Sequence, residues 1–232
     1  PDIAYHRHKF DRGYDLLIDV LGGDHHGYIP RLKAGIQILG YDADQLQPII
    51  IQMVSFKKDG EIMKFSTRKG DFVELKTMID ELSPSVIRYF FAARKPDSQM
   101  VFDWDLAKEQ SVNNPAFYIQ YAHARICSIF GKAEEAGIKI PEFDSETFFE
   151  CDQDLDPKKD LILQMAHFKE VVRLSGRSIA PYAICEFLED FCGRFHAFYN
   201  QCRLITEDSR QTLANLHFLQ AVRAVLLGGA AI

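Results

Sequence analysis

The sequence predicts two architectures in tandem: an α/β segment over residues 1–105 and an all-α bundle over 106–232. Three observations carry this. An apolar run, LLIDVL, is followed by GGDHHG and then by apolar residues at helical spacing, which reads as strand, turn and helix. The other strand signals, LQPIIIQMVSF and the turn Asp59-Gly60, fall in the same first part. From Leu75 onward apolar residues recur with the helical period almost without break.

In order, Asp2–Tyr14 is polar and aromatic, and the alternation of His6 and His8 suits one face of an extended segment. Leu16–Leu21 reads as a buried strand, with Gly22 and Gly23 turning the chain and Asp24, His25 and His26 on the turn. Ile29, Leu32, Ile36 and Leu39 mark a helix that Gly40 stops. Leu46–Phe56 reads as one buried strand with Gln52 inside it. Asp59-Gly60 is a hairpin signal. The loop after it gathers Lys57, Lys58, Lys64, Arg68 and Lys69 with Ser66 and Thr67, a set suited to phosphate.

Leu75–Leu82 and Ser85–Ala93 are expected as short helices, with Ser83 as cap and Pro84 in the first turn. ARKPDSQMVFDWD is a loop or short extended connection. A long helix is expected over Leu106–Glu135, interrupted near Asn113-Asn114-Pro115 and ended by Gly137. Residues 141–160 are rich in Asp and Glu and read as a solvent-exposed connector. Three helices follow over Asp160–Leu174, Pro181–Leu204 and Ser209–Leu227, the last capped by Asp208 or Ser209 and stopped by Gly228-Gly229.

A net charge of −6 gives no global basic signature, and residues 106–232 hold 13 Lys plus Arg against 17 Asp plus Glu. Any nucleic-acid surface must therefore be a local patch. Five cysteines without a CxxC pair suit reduced, mostly buried thiols in a cytosolic protein. No apolar run approaches a membrane span and no signal peptide is visible. The chain starts without Met and reads as a piece of something longer. His6, His8 and Asp24-His25-His26 admit a metal reading, but no third ligand cluster follows, so no metal site is assigned. Asp24-His25-His26 also suggests a metal-dependent phosphoesterase of the DHH type. A non-catalytic RNA-binding helical module is a further possibility.

GGDHHGYIPR, then KFSTRKG about forty residues later, then NNPAFYIQYAHARI, resemble arginyl-tRNA synthetases, which are class I enzymes. HAFYNQCRL is similar to their C-terminal helical domain. The resemblance runs along essentially the whole chain. It implies the second half of a class I, Rossmann-like nucleotide-binding catalytic domain followed by an α-helical anticodon-binding bundle. The HIGH box, the first half of the fold and an N-terminal tRNA-binding domain would precede Pro1. The resemblance assigns Gly22, Gly23, Asp24, His25 and His26 to ATP, and Asp2, Tyr5 and Gln52 to arginine. Lys64, Ser66 and Arg68 match the catalytic KMSKS loop, although Thr67 stands where that loop has its second lysine. Tyr118, Tyr121 and Arg125, with His123 at the same spacing, and Asn200 and Arg203, with Tyr199, are the candidates for tRNA contact. ATP with Mg2+, arginine and tRNA(Arg) are the implied partners, with no DNA and no membrane. A cytoplasmic monomer is implied, and the chain alone is expected to be inactive but able to bind tRNA.

Overall fold

The computed structural model describes residues 2–63, 73–139, 142, 144–152 and 155–231. The chain divides into two compact units, one of Pro1–Lys64 and Arg94–Trp104, the other of Phe65–Ala93 and Asp105–Ile232. Helices of the 75–92 stretch thus group with the later helices, whereas a single cut after 105 leaves them with the strands.

The first unit starts with helix α1 (Asp2–Asp11), where an extended segment was expected. Only His6 and Phe10 of α1 are buried, one turn apart, so His6 and His8 face different surroundings. Strand β1 (Leu17–Gly22) follows, then a 3-10 turn (Gly23–Tyr28), helix α2 (Ile29–Ile38) and strand β2 (Leu46–Ile51). β1 and β2 pair in parallel from Leu17↔Leu46 to Gly22↔Ile51. Phe10, Leu17, Leu32, Ile36, Ala43 and Leu46 form the core between them, and Tyr41 stacks on Phe10 with centroids 4.9 Å apart. β1 is not buried throughout, since Ile18 and Val20 are 45% and 65% exposed. Gly40 ends α2 at φ +87°, and the amides of Gly40 and Tyr41 close on the carbonyls of Gln37 and Ile36.

The expected single strand over Leu46–Phe56 is broken at Gln52-Met53, because the Gln52 amide leaves the ladder for the carbonyl of Pro96. Strand β3 (Val54–Lys58) belongs to a second sheet, antiparallel to β4 (Glu61–Ile62) and parallel to β5 (Met100–Asp103). Asp59 and Gly60 carry φ of 53° and 78°, the backbone a two-residue hairpin requires.

The second unit contains α3 (Leu75–Glu81), α4 (Pro84–Ala92), α5 (Trp104–Lys108, joined at Asp105), α6 (Pro115–Glu135), α7 (Ser145–Cys151), α8 (Lys159–Ser178), α9 (Tyr182–Gln201) and α10 (Ser209–Ala231). Ser83 precedes α4 but makes no side-chain cap bond; its hydroxyl pairs with that of Ser85. Asn114 explains the break before α6. Its Oδ1 accepts from the amides of Ala116 and Phe117, and its Nδ2 donates to the carbonyls of Ala107 and Glu109. Asp208 caps α10 through the amide of Arg210 at 2.8 Å.

Phe191, Phe195, Phe218, Leu216, Leu219, Ile126 and Leu161 make the heart of the bundle, drawn from α6, α8, α9 and α10. Two expectations fail here for packing reasons. The acidic connector is not merely solvated: α7 buries Phe148, and Asp152 pairs with Lys158 at 2.6 Å with both side chains almost fully buried. Gly228-Gly229 does not stop α10, which runs to Ala231. A Cβ on Gly229 would lie 2.7 Å from Leu188 Cδ2, so the glycine admits a close helix crossing. Among the described residues α10 is long and apolar enough to cross a membrane by length and composition, and half of that stretch is buried in the bundle, as in the core helix of a helical bundle. Of the cysteines, Cys185 and Cys192 are buried, Cys151 and Cys202 half-buried, and Cys127 exposed.

Candidate functional site

The first unit holds a cavity of about 590 Å3 between α1, β1 and the start of α2, lined among others by Asp2, Tyr5, His6, Lys9, Asp19, His25 and Tyr28. α1 delivers Asp2, Tyr5, His6 and Lys9 from successive turns of one face. Asp19 enters from the middle of the apolar strand. The His6 ring faces acceptors on both sides, the Asp2 carbonyl at 2.9 Å from Nδ1 and Asp19 Oδ2 at 2.6 Å from Nε2. Lys9 Nζ donates to Asp19 Oδ1 at 2.6 Å and lies over the Tyr5 ring at 4.5 Å. Burial alone would push the Asp19 carboxyl up, but hydrogen bonds from Lys9 and His6 and their charges outweigh it and hold it below the ordinary carboxylate range. Hydrogen bonding to Asp2 raises the Tyr28 phenol above its usual value.

Of the sequence-predicted residues, Asp2, Tyr5 and His25 share this cavity. Gly22 and Gly23 stand at the C-terminal end of β1, where open α/β sheets place ligands. Neither glycine uses the left-handed region; a Cβ on Gly22 would lie 2.7 Å from Asp24 Oδ1, so that side chain would have to shift, whereas one on Gly23 would sit in ordinary contact with Gln52 Oε1 at 3.4 Å. Gln52 therefore adjoins the strand end. Asp24 and His26 are exposed and do not line the cavity. His6, Lys9, Asp19 and Tyr28 are additions. Their signal was a lone Asp in an apolar strand and a His-Lys pair three residues apart. Lys64, Ser66 and Arg68 lie outside the described residues.

The second unit brings α6 and α9 together around an arginine. Arg125 Cζ lies 4.5 Å from the ring centroids of both Tyr121 and Tyr199. Its NH1 donates to His196 Nδ1 at 3.1 Å and to Asn200 Oδ1 at 3.5 Å. The His196 ring packs against Tyr118 at 4.5 Å and Tyr121 at 5.6 Å. Thus Tyr118, Tyr121, Arg125, Tyr199 and Asn200 form one cluster. His123 instead faces Arg223, whose Nε donates to His123 Nε2 at 3.4 Å. Arg203 is exposed beyond the end of α9. His196 was not foreseen, because a histidine inside a phenylalanine-rich helix reads as core.

Residues 119–232 match the DALR anticodon binding domain. Arginine–tRNA ligases of Geobacter sp. strain M21 and Syntrophotalea carbinolica are 46% and 42% identical over 97% of this chain, which covers 40% of each. The chain belongs to the arginyl-tRNA synthetase family. It spans about 40% of the length of the curated synthetases it matches. A structure titled a putative arginyl-tRNA synthetase from Campylobacter jejuni covers all of this chain with TM-score 0.83 at 32% identity, and this chain covers 50% of it. The α/β segment and helical bundle are thus a Rossmann-like remainder and the DALR domain of the synthetase fold. Nothing in these matches supports a metal phosphoesterase. Among the described residues, no group of three His, Cys, Asp or Glu side chains is placed to hold a metal ion.

The Asp19 network in this synthetase segment has a testable pH signature. Asp19→Asn is expected to destabilise the first unit at pH 7 by about 1–3 kcal/mol, because two charge-assisted bonds weaken. Since the folded carboxyl titrates lower than the unfolded one, this contribution is fully present above the ordinary value of about 3.9. It is lost as pH falls through the folded value. In denaturant unfolding the gap between wild type and variant should hold from pH 7 to about 5 and narrow below about 4. A gap that widens in acid contradicts the assignment.

Proposed function

We propose that this chain supplies part of the active site and the anticodon-reading domain of an enzyme that couples arginine to tRNA(Arg) with ATP. The observation that carries the reading is the match of 97% of the chain to arginine–tRNA ligases, with a DALR domain match over residues 119–232. In the reaction, a carboxylate oxygen of arginine attacks the α-phosphorus of ATP and pyrophosphate leaves. A ribose hydroxyl at the tRNA 3′ end then attacks the adenylate carbonyl, and AMP leaves.

The cavity suits the amino acid. Asp2 offers a carboxylate to a guanidinium, and the Tyr5 ring offers a face for it. Gly22, Gly23, Asp24, His25 and His26 at the strand end are assigned to ATP, with Gln52 beside Gly23 on the arginine side. Lys64, Ser66 and Arg68 are assigned to the triphosphate, where cations and a hydroxyl stabilise charge that develops in the transition state. Arg68 and Lys69 offer the cations that Thr67 lacks. Mg2+ enters with the nucleotide as part of the substrate. On the bundle, Tyr118, Tyr121, Arg125 and Asn200 are assigned to the anticodon loop, with Arg203 as a flanking phosphate contact. A domain with net charge −4 over 106–232 cannot bind RNA by bulk attraction, and an arginine lying over two tyrosines is a local stacking platform.

Two measurements on the chain itself test this. A labelled tRNA(Arg) transcript should bind at least about tenfold more tightly than a tRNA of unrelated anticodon, the effect of one or two base contacts. Equal binding of the two defeats the anticodon assignment. The chain alone should give no arginine-dependent exchange of pyrophosphate into ATP. Robust exchange would show that these residues form a complete site, and the assignment of a partial site would fall.

A further inference from the structure

Arg125 is held in place by a histidine whose protonation state the geometry selects. Arg125 NH1 donates to Nδ1 of His196 at 3.1 Å, and the other ring nitrogen, Nε2, donates to the Tyr118 carbonyl at 3.4 Å. A guanidinium has only donors and keeps its proton in proteins. Both bonds therefore exist together only when His196 is neutral with its proton on Nε2. A proton on Nδ1 would point N–H at N–H and place two cations 3.1 Å apart in a site where His196 is only 7% exposed. The same side chains hold Arg125 over Tyr121 and Tyr199, so the ring that protonates is the ring that fixes the stacking platform.

We propose that His196 is a positioning residue for the anticodon contact: neutral, it holds Arg125 over Tyr121 and Tyr199, and protonated it releases Arg125 and weakens tRNA binding. The proposal rests on reading this cluster as a tRNA surface. Burial first, and then the Arg125 charge, lower the imidazole below the ordinary histidine range, against the opposing pull of the Tyr118 carbonyl. The platform is therefore assembled at neutral pH and is released only as the pH falls below the ordinary histidine range. The groups facing His196 are Arg125, Tyr118 and Tyr121 from α6 and the Phe195 ring from its own helix, while Tyr199 and the uncharged Asn200 of α9 reach Arg125, and Cys192 of α9 lies near Tyr118. Burial pushes the Cys192 thiol up to about 12 and the Tyr118 phenol above its usual value, so both stay neutral from pH 5 to 8. Among the described residues, no carboxylate makes a hydrogen bond or ion pair with His196 to offset the repulsion.

The test is binding of a fluorescein-labelled tRNA(Arg) transcript by the full chain between pH 8 and 5 at constant ionic strength. As the pH falls through the titration of His196, which lies below the ordinary histidine range, wild type should lose up to roughly tenfold affinity relative to His196→Asn, the worth of one charge-assisted contact. The asparagine keeps an acceptor near the Nδ1 position and takes no proton, so it should retain most of the affinity at pH 7.5. Parallel pH curves for the two proteins overturn the proposal. Arg125→Gln should bind more weakly at pH 7.5 and lack the His196-dependent acid loss. If Arg125→Gln instead binds tRNA(Arg) like wild type, the tRNA reading itself fails, and the proposal with it. NMR of the unliganded wild-type chain needs no variant and no tRNA. The Arg125 Nε–H resonance should shift along the His196 titration, and an Arg125 signal that ignores that titration overturns the positioning role.

Discussion

Lys158→Met is expected to destabilise the helical unit by about 3–5 kcal/mol, among the largest effects of any single substitution in the chain. Lys158 sits in the short 3-10 turn before α8, and its ammonium is 2.6 Å from Asp152 Oδ1 with side-chain exposures of 3% and 0%. Gln211 of α10 donates to the same oxygen at 2.8 Å. The ammonium also lies 5.8 Å from the Phe148 ring and 5.9 Å from the Phe218 ring, so one cation ties α7 and α10 to the turn before α8. Removing it leaves the Asp152 carboxylate desolvated without its cation, and that penalty, not the worth of the pair, dominates the loss. Asp152→Leu combined with Lys158→Met should therefore recover most of the stability. Chemical unfolding followed by helical circular dichroism measures both. A single-variant loss below about 1 kcal/mol, or a double variant no better than the single, contradicts a pair that matters by its burial.

That pair also shows where sequence reading stopped. Composition across 141–160 counts charges but not their partners, so a stretch with a buried carboxylate and a buried lysine read as solvated. The strand-turn-helix at Leu17–Ile38, the Asp59-Gly60 hairpin and the break at Asn114-Pro115 were legible because each is set by local chemistry: an apolar run, positive φ, a side-chain cap. α1 was not legible. Its two buried residues, His6 and Phe10, gain their environment from Asp19 and Tyr41, distant in sequence. Gly228-Gly229 reads as a stop by propensity, and contact with Leu188 and Phe168 overrides it. The candidate site divides the same way. Tyr121 and Arg125 announce themselves at helical spacing. The role of His196 depends on which nitrogen faces a residue 71 positions away, which no local pattern encodes.

Phe191→Ala and Tyr121→Ala should separate core from surface in the same bundle. Phe191 is fully buried on α9, 5.6 Å from Phe187, which in turn stacks on Phe168 of α8 at 5.2 Å. Its truncation removes a large apolar side chain from the centre of a packed layer and leaves a cavity. The expected cost is about 3–5 kcal/mol, read as a lower unfolding midpoint. Its effect on tRNA affinity should do no more than follow the folded fraction, because α9 presents His196, Tyr199 and Asn200 about 80–180° away from Phe191 around the helix. Tyr121 is the reverse case. It is 36% exposed, and its ring carries the Arg125 guanidinium at 4.5 Å. Tyr121→Ala should move the midpoint little and weaken tRNA(Arg) by about 1–3 kcal/mol, the worth of one stacking face. Should Tyr121→Ala lower the midpoint as far as Phe191→Ala, with affinity falling only in proportion, then Tyr121 is packing and the anticodon surface must be sought elsewhere on the bundle.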